Sequence, residues 1–305
     1  MSSIAGGGAT SRRKSSGGGR AGGTREAERP ATLSIEIVHP EIERGRITSA
    51  LFDFDGTLSL IREGWQQVMI PMMVEVLLGT PRHEKEDEIE AVVTEFVTNL
   101  TGRQTIYQMF RLAEEVVKRE GRPLHALEYK GMYLRRLWGR IGNRLAALEE
   151  GRVHPDDHLV PGSREMLEEL DRRGVELCLA SGTDREDVLR EARALGLDQL
   201  FGDRIYGALE RYWEFSKEAL VQRIVEEGNL SGPQLVVFGD GFVEIQSAKA
   251  IGGIAVGVAS EEARRSGVNE WKRRRLIEAG ADVIIPDYRQ HAQIVAYLWG
   301  EVDVV

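Results

Sequence analysis

Apolar and polar residues alternate where order is first expected: Leu33, Ile35 and Ile37 mark a half-buried strand. A second strand at 47–54 is more continuously apolar and ends in Asp53-Phe54-Asp55-Gly56-Thr57. From about 62 to 148 the period lengthens to that of helices. Four are predicted, at about 63–78, 84–100, 104–120 and 125–148, with breaks at Gly79-Thr80-Pro81, Thr101-Gly102 and Gly121-Arg122-Pro123. After Pro161-Gly162 the pattern becomes helix–strand alternation. A helix at 163–173 stops at Gly174, and a strand follows at 175–180. Thr183 and Glu186 form a capping-box pair that opens a helix ending near Gly196. Later strands fall at 235–238, 254–258 and 283–285, with helices between them. Short apolar strands separated by helices predict an α/β fold, a Rossmann-like parallel sheet covered on both faces. The helical block interrupts that domain after its second strand, and no internal repeat is present. The expected division is a tail at 1–31, a core at 32–60 and 159–305, and an all-helical cap at 61–158.

Composition sharpens this picture at the N-terminus. Residues 1–31 hold eight of the 34 glycines and little that is large and apolar, so they read as a disordered basic Gly/Ser-rich tail. The first 33 residues carry net +4 within a chain of net −9, which leaves −13 on the body. An acidic body argues against a dedicated nucleic-acid binder, which needs a broad basic face. One cysteine, Cys178, excludes an internal disulfide framework and a Cys-only zinc site. It lies in an apolar strand and reads as a small buried hydrophobe. No run approaches the ~18–20 apolar residues of a membrane span, and the N-terminus lacks the apolar core of a secretory signal. A cytoplasmic location without membrane contact is expected.

In parallel α/β sheets, ligand groups gather at the carboxyl ends of strands. Asp53 and Asp55, Ser181-Gly182-Thr183, and Asp240 with Glu244 all sit at such places, while Lys217 lies near the start of the helix before the 235–238 strand. A calcium loop beginning at Asp53 fails, because its sixth position is Leu58 and its twelfth is Gly64. The glycines at 252, 253 and 257 lead into a strand rather than opening a helix, so they are no dinucleotide fingerprint. Ser181 lacks the flanking glycines of a nucleophile elbow. His154 and His158 flank Pro155, which disfavours a shared helical face, and that stretch reads as a polar hinge. Lys272-Arg273-Arg274-Arg275 reads as an exposed helical face.

The ordered set Asp53, Asp55, Ser181, Lys217, Asp240 and Glu244 resembles the haloacid dehalogenase (HAD) superfamily of phosphohydrolases with a helical cap. Within it, the set is most similar to phosphoglycolate phosphatases and β-phosphoglucomutases. Phe52-Asp53-Phe54-Asp55-Gly56-Thr57-Leu58 matches the first motif, Leu179-Ala180-Ser181 the second, Lys217 the third, and Gly239-Asp240 with Glu244 the fourth. The resemblance implies a phosphatase that forms an aspartyl-phosphate on Asp53, with Asp55 as general acid and base and with Ser181, Gly182 and Lys217 around the phosphoryl oxygens. It also implies Mg²⁺ as cofactor, held by Asp53, Asp240 and the Asp55 carbonyl, with Glu244 nearby as an orienting group. Dehalogenases of the family lack an acid at the Asp55 position, which disfavours dehalogenation. A phosphomutase using the same phospho-aspartate and a catalytically idle binding protein are the alternatives. In the cap, Arg62, Arg103 and Gln104 are candidates for binding the leaving group of a small phosphorylated metabolite.

Overall fold

The computed structural model describes residues 35–209 and 211–303; the expected tail and Leu33 lie outside them. Among the described residues one seven-stranded sheet runs in the order β1-β7-β6-β5-β2-β3-β4. Its strands are β1 Glu36–Ile37, β2 Ser49–Asp53, β3 Glu176–Asp184, β4 Ile205–Ala208, β5 Leu235–Gly239, β6 Ile254–Val258 and β7 Val283–Ile285. β1 pairs antiparallel with β7, and the other pairings are parallel. The central strands are buried along their whole length because helices cover both faces, which is why they read as continuous apolar runs.

Four helices occupy the stretch between β2 and β3 that the sequence assigns to an insert: α1 Gln66–Leu78, α2 Glu86–Asn99, α3 Thr105–Lys118 and α4 Ala126–Glu149. The remaining helices are α5 Ser163–Arg172, α6 Arg185–Ala194, α7 Asp198–Phe201, α8 Lys217–Glu227, α9 Phe242–Ala250, α10 Glu270–Glu278 and α11 His291–Leu298. The chain enters and leaves the insert side by side. Leu60 N donates to His158 O (2.8 Å) and Val160 N to Leu58 O (2.9 Å), a short antiparallel bridge centred on Ser59 and Leu159. Arg144 braces the entry by donating to the Ile61 and Glu63 carbonyls at 3.0 and 2.9 Å.

Period-2 alternation divides the core. Leu51, Cys178, Val237, Ala255 and Ile284 pack on one sheet face, and burial pushes the Cys178 thiol up to about 12, as expected of a small hydrophobe. Phe52, Leu179, Phe238, Val256 and Ile285 pack on the other. There Phe52 stacks on Phe238 with centroids 4.5 Å apart and planes at 2°, and Tyr288 tilts against both rings. This second cluster continues without a break into the insert through Leu58, Ile61, Met69, Leu112, Leu137 and Ile141.

One local expectation needs correction, and two features add to the sequence reading. β3 extends through Thr183 to Asp184, and the Thr183–Glu186 capping box does not form, because the Thr183 hydroxyl is used by Asp55. Asp184 stands at the helix boundary without a side-chain cap bond. β4 has no counterpart in the sequence reading; it is a four-residue edge strand, too short to establish a period. The hinge stretch is a turn of 3₁₀ helix over Pro155–His158, with His154 Nδ1 accepting from Asp156 N.

The stacked pair lies at the sheet centre and is fully buried. Phe238→Ala removes a fully buried ring and should cost about 3–5 kcal/mol in urea unfolding. A loss below about 1 kcal/mol would show that neighbouring side chains collapse into the gap.

Candidate active site

β2 lies between β3 and β5, with Asp53 opposite Ala180 and Phe52 opposite Phe238. The carboxyl ends of these three strands therefore deliver Asp53, Ser181 and Asp240 to one place. Lys217 reaches it from the first residue of α8, whose N-terminus is fixed by Ser216 Oγ accepting from Ala219 N at 3.0 Å.

Asp53, Lys217 and Glu244 form a buried ionic triad. Lys217 Nζ donates to Asp53 Oδ1 at 2.6 Å and also to Glu244 Oε1. Burial alone would lower the Lys217 pKa, but Asp53 and Glu244 outweigh it and raise it, so the ammonium stays charged. Asp53 is pushed well up: burial is the leading cause, Lys217 opposes it, and the neighbouring Glu244 and Asp240 charges add to it. Glu244 Oε2 is buried without a hydrogen-bond partner.

Asp55 is held differently. Its Oδ2 accepts from Thr183 Oγ1 at 2.9 Å and from Ser181 Oγ at 3.2 Å, while its Oδ1 is buried without a hydrogen-bond partner. Two hydroxyls thus fix one oxygen, while the other faces the Arg62 guanidinium at 3.8 Å. Gly56 follows with φ +77°, a conformation costly for other residues, and a Cβ there would collide with Asp240 Oδ2. Asp240 is further placed by its backbone N–H donating to Thr57 Oγ1 at 3.0 Å.

Two groups in the site escape the sequence reading. Lys272 is buried rather than part of an exposed basic face, because α10 turns it inward, where Nζ meets Asp240 Oδ2 at 2.8 Å and Glu262 Oε1 at 2.7 Å. Its neighbours do lie outward or sideways: Arg273 pairs with Glu36, and Arg275 donates to the Thr98 carbonyl at the end of α2 (2.7 Å). Glu262, from the β6–α10 loop, lines the cleft; burial is the main reason its carboxyl is raised. No spacing signal marks either residue, since Lys272 is hidden in a run of four basic side chains.

The insert closes over these groups. A cavity of about 90 Å³ has Asp53, Asp55, Ser181, Lys217 and Asp240 in its floor, while Trp65, Met69, Thr101, Arg103, Gln108 and Tyr133 contribute from the insert. The approach is close: a Cβ on Gly182 would lie 2.9 Å from the Arg103 carbonyl oxygen, so the residue after Ser181 has no room for a side chain. Arg103 is exposed at the rim, with its guanidinium 6.0 Å from the Phe242 ring centre. Gln104 is turned away from this cavity. Its amide donates to the Phe215 and Tyr212 carbonyls at 2.6 and 3.1 Å, tying α3 to the segment just before Lys217.

Arg62 is neither a surface ion pair nor a free cation. Its guanidinium donates to Glu191 Oε1 at 2.6 and 2.9 Å and to Asp187 at 3.1 Å, and it lies 3.8 Å from Asp55 Oδ1. Burial pushes Glu191 up to about 7 despite Arg62.

The donor set fits a hard divalent cation. Asp53, Asp240, Glu244 and Glu262 surround two ammonium groups, leaving two negative charges in excess. Keeping Asp53 ionised against its burial calls for further positive charge. Among the described residues no three His, Cys, Asp or Glu side chains converge as a ready-made metal cage. Two carboxylates, a backbone carbonyl and retained waters are instead the ligand type that suits Mg²⁺.

Polar groups gathered at the middle of a parallel sheet, beneath a helical insert, define a capped α/β protein of the hydrolase kind. The haloacid dehalogenase-like hydrolase model matches residues 47–252, and the chain belongs to that family. No curated protein matches it in sequence. In structure it is similar to a HAD hydrolase of family IA, variant 3, from Entamoeba histolytica, with 21% identity and TM-score 0.55 over 83% of this chain and 99% of that one. It is also similar to a predicted phosphoglycolate phosphatase from Haemophilus somnus 129pt (20%, TM-score 0.54, 82% and 98%). A third likeness is to β-phosphoglucomutase from Clostridium difficile (13%, TM-score 0.51, 76% and 98%). These likenesses are of fold. No helix of the described residues is long and apolar enough to cross a membrane.

Removing the guanidinium of Arg62 should expose the cost of its buried partner. Arg62→Met leaves Glu191 without a counter-charge and should destabilise the protein by about 3–5 kcal/mol above neutral pH, where Glu191 is ionised, measured by urea unfolding. The loss should shrink as the pH falls through about 7, because burial holds this carboxyl up to about 7 even beside Arg62 and higher without it. Arg62→Met with Glu191→Leu should recover most of it; equal stability of Arg62→Met and wild type would contradict the assignment.

Proposed function

We propose that the chain is a Mg²⁺-dependent phosphatase that hydrolyses the phosphate ester of a small metabolite through an aspartyl-phosphate on Asp53. The observation that carries this reading is the difference between two carboxylates two residues apart. Asp53 is paired with a buried ammonium, and Asp55 has one oxygen fixed by two hydroxyls and the other without a hydrogen bond, 3.8 Å from the Arg62 guanidinium. That is the division of labour between a nucleophile and a proton carrier.

In the first step an Asp53 carboxylate oxygen attacks phosphorus, and the bond from phosphorus to the leaving oxygen breaks. Asp55 gives its proton to that oxygen. In the second step Asp55 takes a proton from a water molecule as the water attacks phosphorus, and the bond to Asp53 breaks, releasing phosphate. Lys217, oriented by Glu244, holds positive charge beside Asp53, while Ser181 and the backbone at Gly182 face the phosphoryl oxygens. Asp53 and Asp240, with the Asp55 carbonyl, would hold Mg²⁺, which when bound supplies positive charge against the repulsion between carboxylate and phosphate.

The leaving group is read by the insert, which we take as a cap over 61–158. Trp65, Met69 and Tyr133 give the insert side of the cleft an apolar lining beside the polar floor. Arg103 at the rim is the cap cation we assign to substrate recognition; Arg62 is committed to Glu191 and Asp187, and Gln104 to carbonyls beside Lys217.

Asp53→Asn should abolish Mg²⁺-dependent turnover of an aryl phosphate while leaving the circular dichroism spectrum unchanged, since the amide is nearly isosteric but a poor nucleophile. Comparable turnover by a verified Asp53→Asn preparation would sink the assignment. Asp55→Asn should retain Mg²⁺ affinity, because its proposed contact is through the backbone, whereas Asp240→Asn should weaken it; the reverse ranking by calorimetry would mean that the two roles are exchanged. Phosphate release into water, rather than return of the phosphoryl group to a sugar hydroxyl, separates the hydrolase from a mutase.

A further inference from the structure

Lys272 is buried, and its ammonium has three acceptors for its three N–H bonds: Asp240 Oδ2 at 2.8 Å, Glu262 Oε1 at 2.7 Å and Ser260 Oγ at 3.2 Å. Ser260 in turn donates to the Gly56 carbonyl at 2.7 Å, so the arrangement is anchored to the loop that carries Asp53 and Asp55. The ammonium is therefore the counter-charge on the oxygen of Asp240 that Gly56 leaves room for. It also holds Glu262, which lines the same cleft, in an ion pair.

We propose that Lys272 is a positioning residue that acts as a resident cation in the site. It pins Asp240 and engages Glu262, so that Glu262 does not compete with Asp53 for the divalent ion. This reading rests on the proposed Mg²⁺ site. Its physical content is a balance of charge. With Lys272 and Lys217 present, the four surrounding carboxylates are in excess by two negative charges, matched by one divalent cation. Without Lys272 the excess is three, and two carboxylates that shared one ammonium are both free to turn toward the incoming ion. The cation then binds more tightly, and less of it is drawn toward Asp53, where the reaction takes place. A residue that merely fastened α10 to the core would have no such effect on ion affinity.

The test is calorimetric titration of Mg²⁺ into the metal-free full chain, beside turnover of an aryl phosphate and a thermal melt. Lys272→Met should bind Mg²⁺ about tenfold or more tightly than wild type, since a full unit charge a few ångströms away is removed, and turnover should fall by about tenfold. Glu262→Gln, which keeps the ammonium and removes one negative charge, should bind it about tenfold more weakly. The double variant should return to near wild-type affinity. Affinities of Lys272→Met and Glu262→Gln that equal wild type, or weaker binding by a folded Lys272→Met, would overturn the proposal and leave Lys272 as a fastening of α10. A wild type that binds no Mg²⁺ would overturn the metal reading itself, and this inference with it. If Lys272→Met does not fold, the double variant is compared with Glu262→Gln instead: tighter Mg²⁺ binding by the double supports the resident cation, and equal or weaker binding overturns it.

Discussion

Like charges brought together in a dry place are what this structure has to accommodate. Adjacent parallel strands bring Asp53 and Asp240 into one site, and Glu244 and Glu262 are held against the same groups. Isolated carboxylates in such surroundings would be driven to the neutral form. Two buried lysines, each spanning two carboxylates, are the local solution: Lys217 between Asp53 and Glu244, and Lys272 between Asp240 and Glu262. Each comes from the first turn of a helix, α8 or α10. The compensation is incomplete, two positive charges against four carboxylates.

The same economy of charge recurs where the insert meets the core. Arg62, just past the first motif, is drawn down onto Glu191 and Asp187 of α6. Lys130 of α4 pairs with Asp184, and Arg275 of α10 reaches the end of α2. Together with the continuous apolar cluster beneath them, these contacts bring the Thr101–Thr105 stretch over the cleft, with the Arg103 backbone against Gly182. Gln104 adds a further tie, to the carbonyls just before Lys217, so the position of the insert and that of the Lys217 ammonium share one hydrogen-bonded segment.

How far the sequence reveals this depends on whether a residue's surroundings are set locally. The central strands and the four insert helices are legible because burial imposes a period, and their ends were placed within a few residues. Asp53, Asp55, Ser181 and Asp240 are legible because strand ends deliver them to one place whatever the loops do; Lys217 and Glu244, in the first turns of α8 and α9, are legible only through the motifs they match. Thr183 reads as a helix cap, since its local pattern fits one; only the tertiary approach of Asp55 gives its hydroxyl another partner. Lys272 reads as exposed for a similar reason: nothing in four consecutive basic residues says which one faces inward. Gln104 looked like a polar group on a loop that points at substrate, and the carbonyls it serves lie more than a hundred residues along the chain. β4 failed on length alone.

The central claim is that Asp53 carries the phosphoryl group, and trapping that group tests it most directly. Full-length protein, with Asp55→Asn to slow the second step, is mixed with Mg²⁺ and an aryl phosphate, quenched in acid within the first turnover and reduced with borohydride. Peptide mass spectrometry then locates any acyl phosphate as homoserine. The account predicts homoserine at position 53 and its absence when Mg²⁺ or the phosphate ester is omitted. Homoserine at another acidic residue, or none in a preparation that has released a stoichiometric burst of the aryl alcohol, would contradict it.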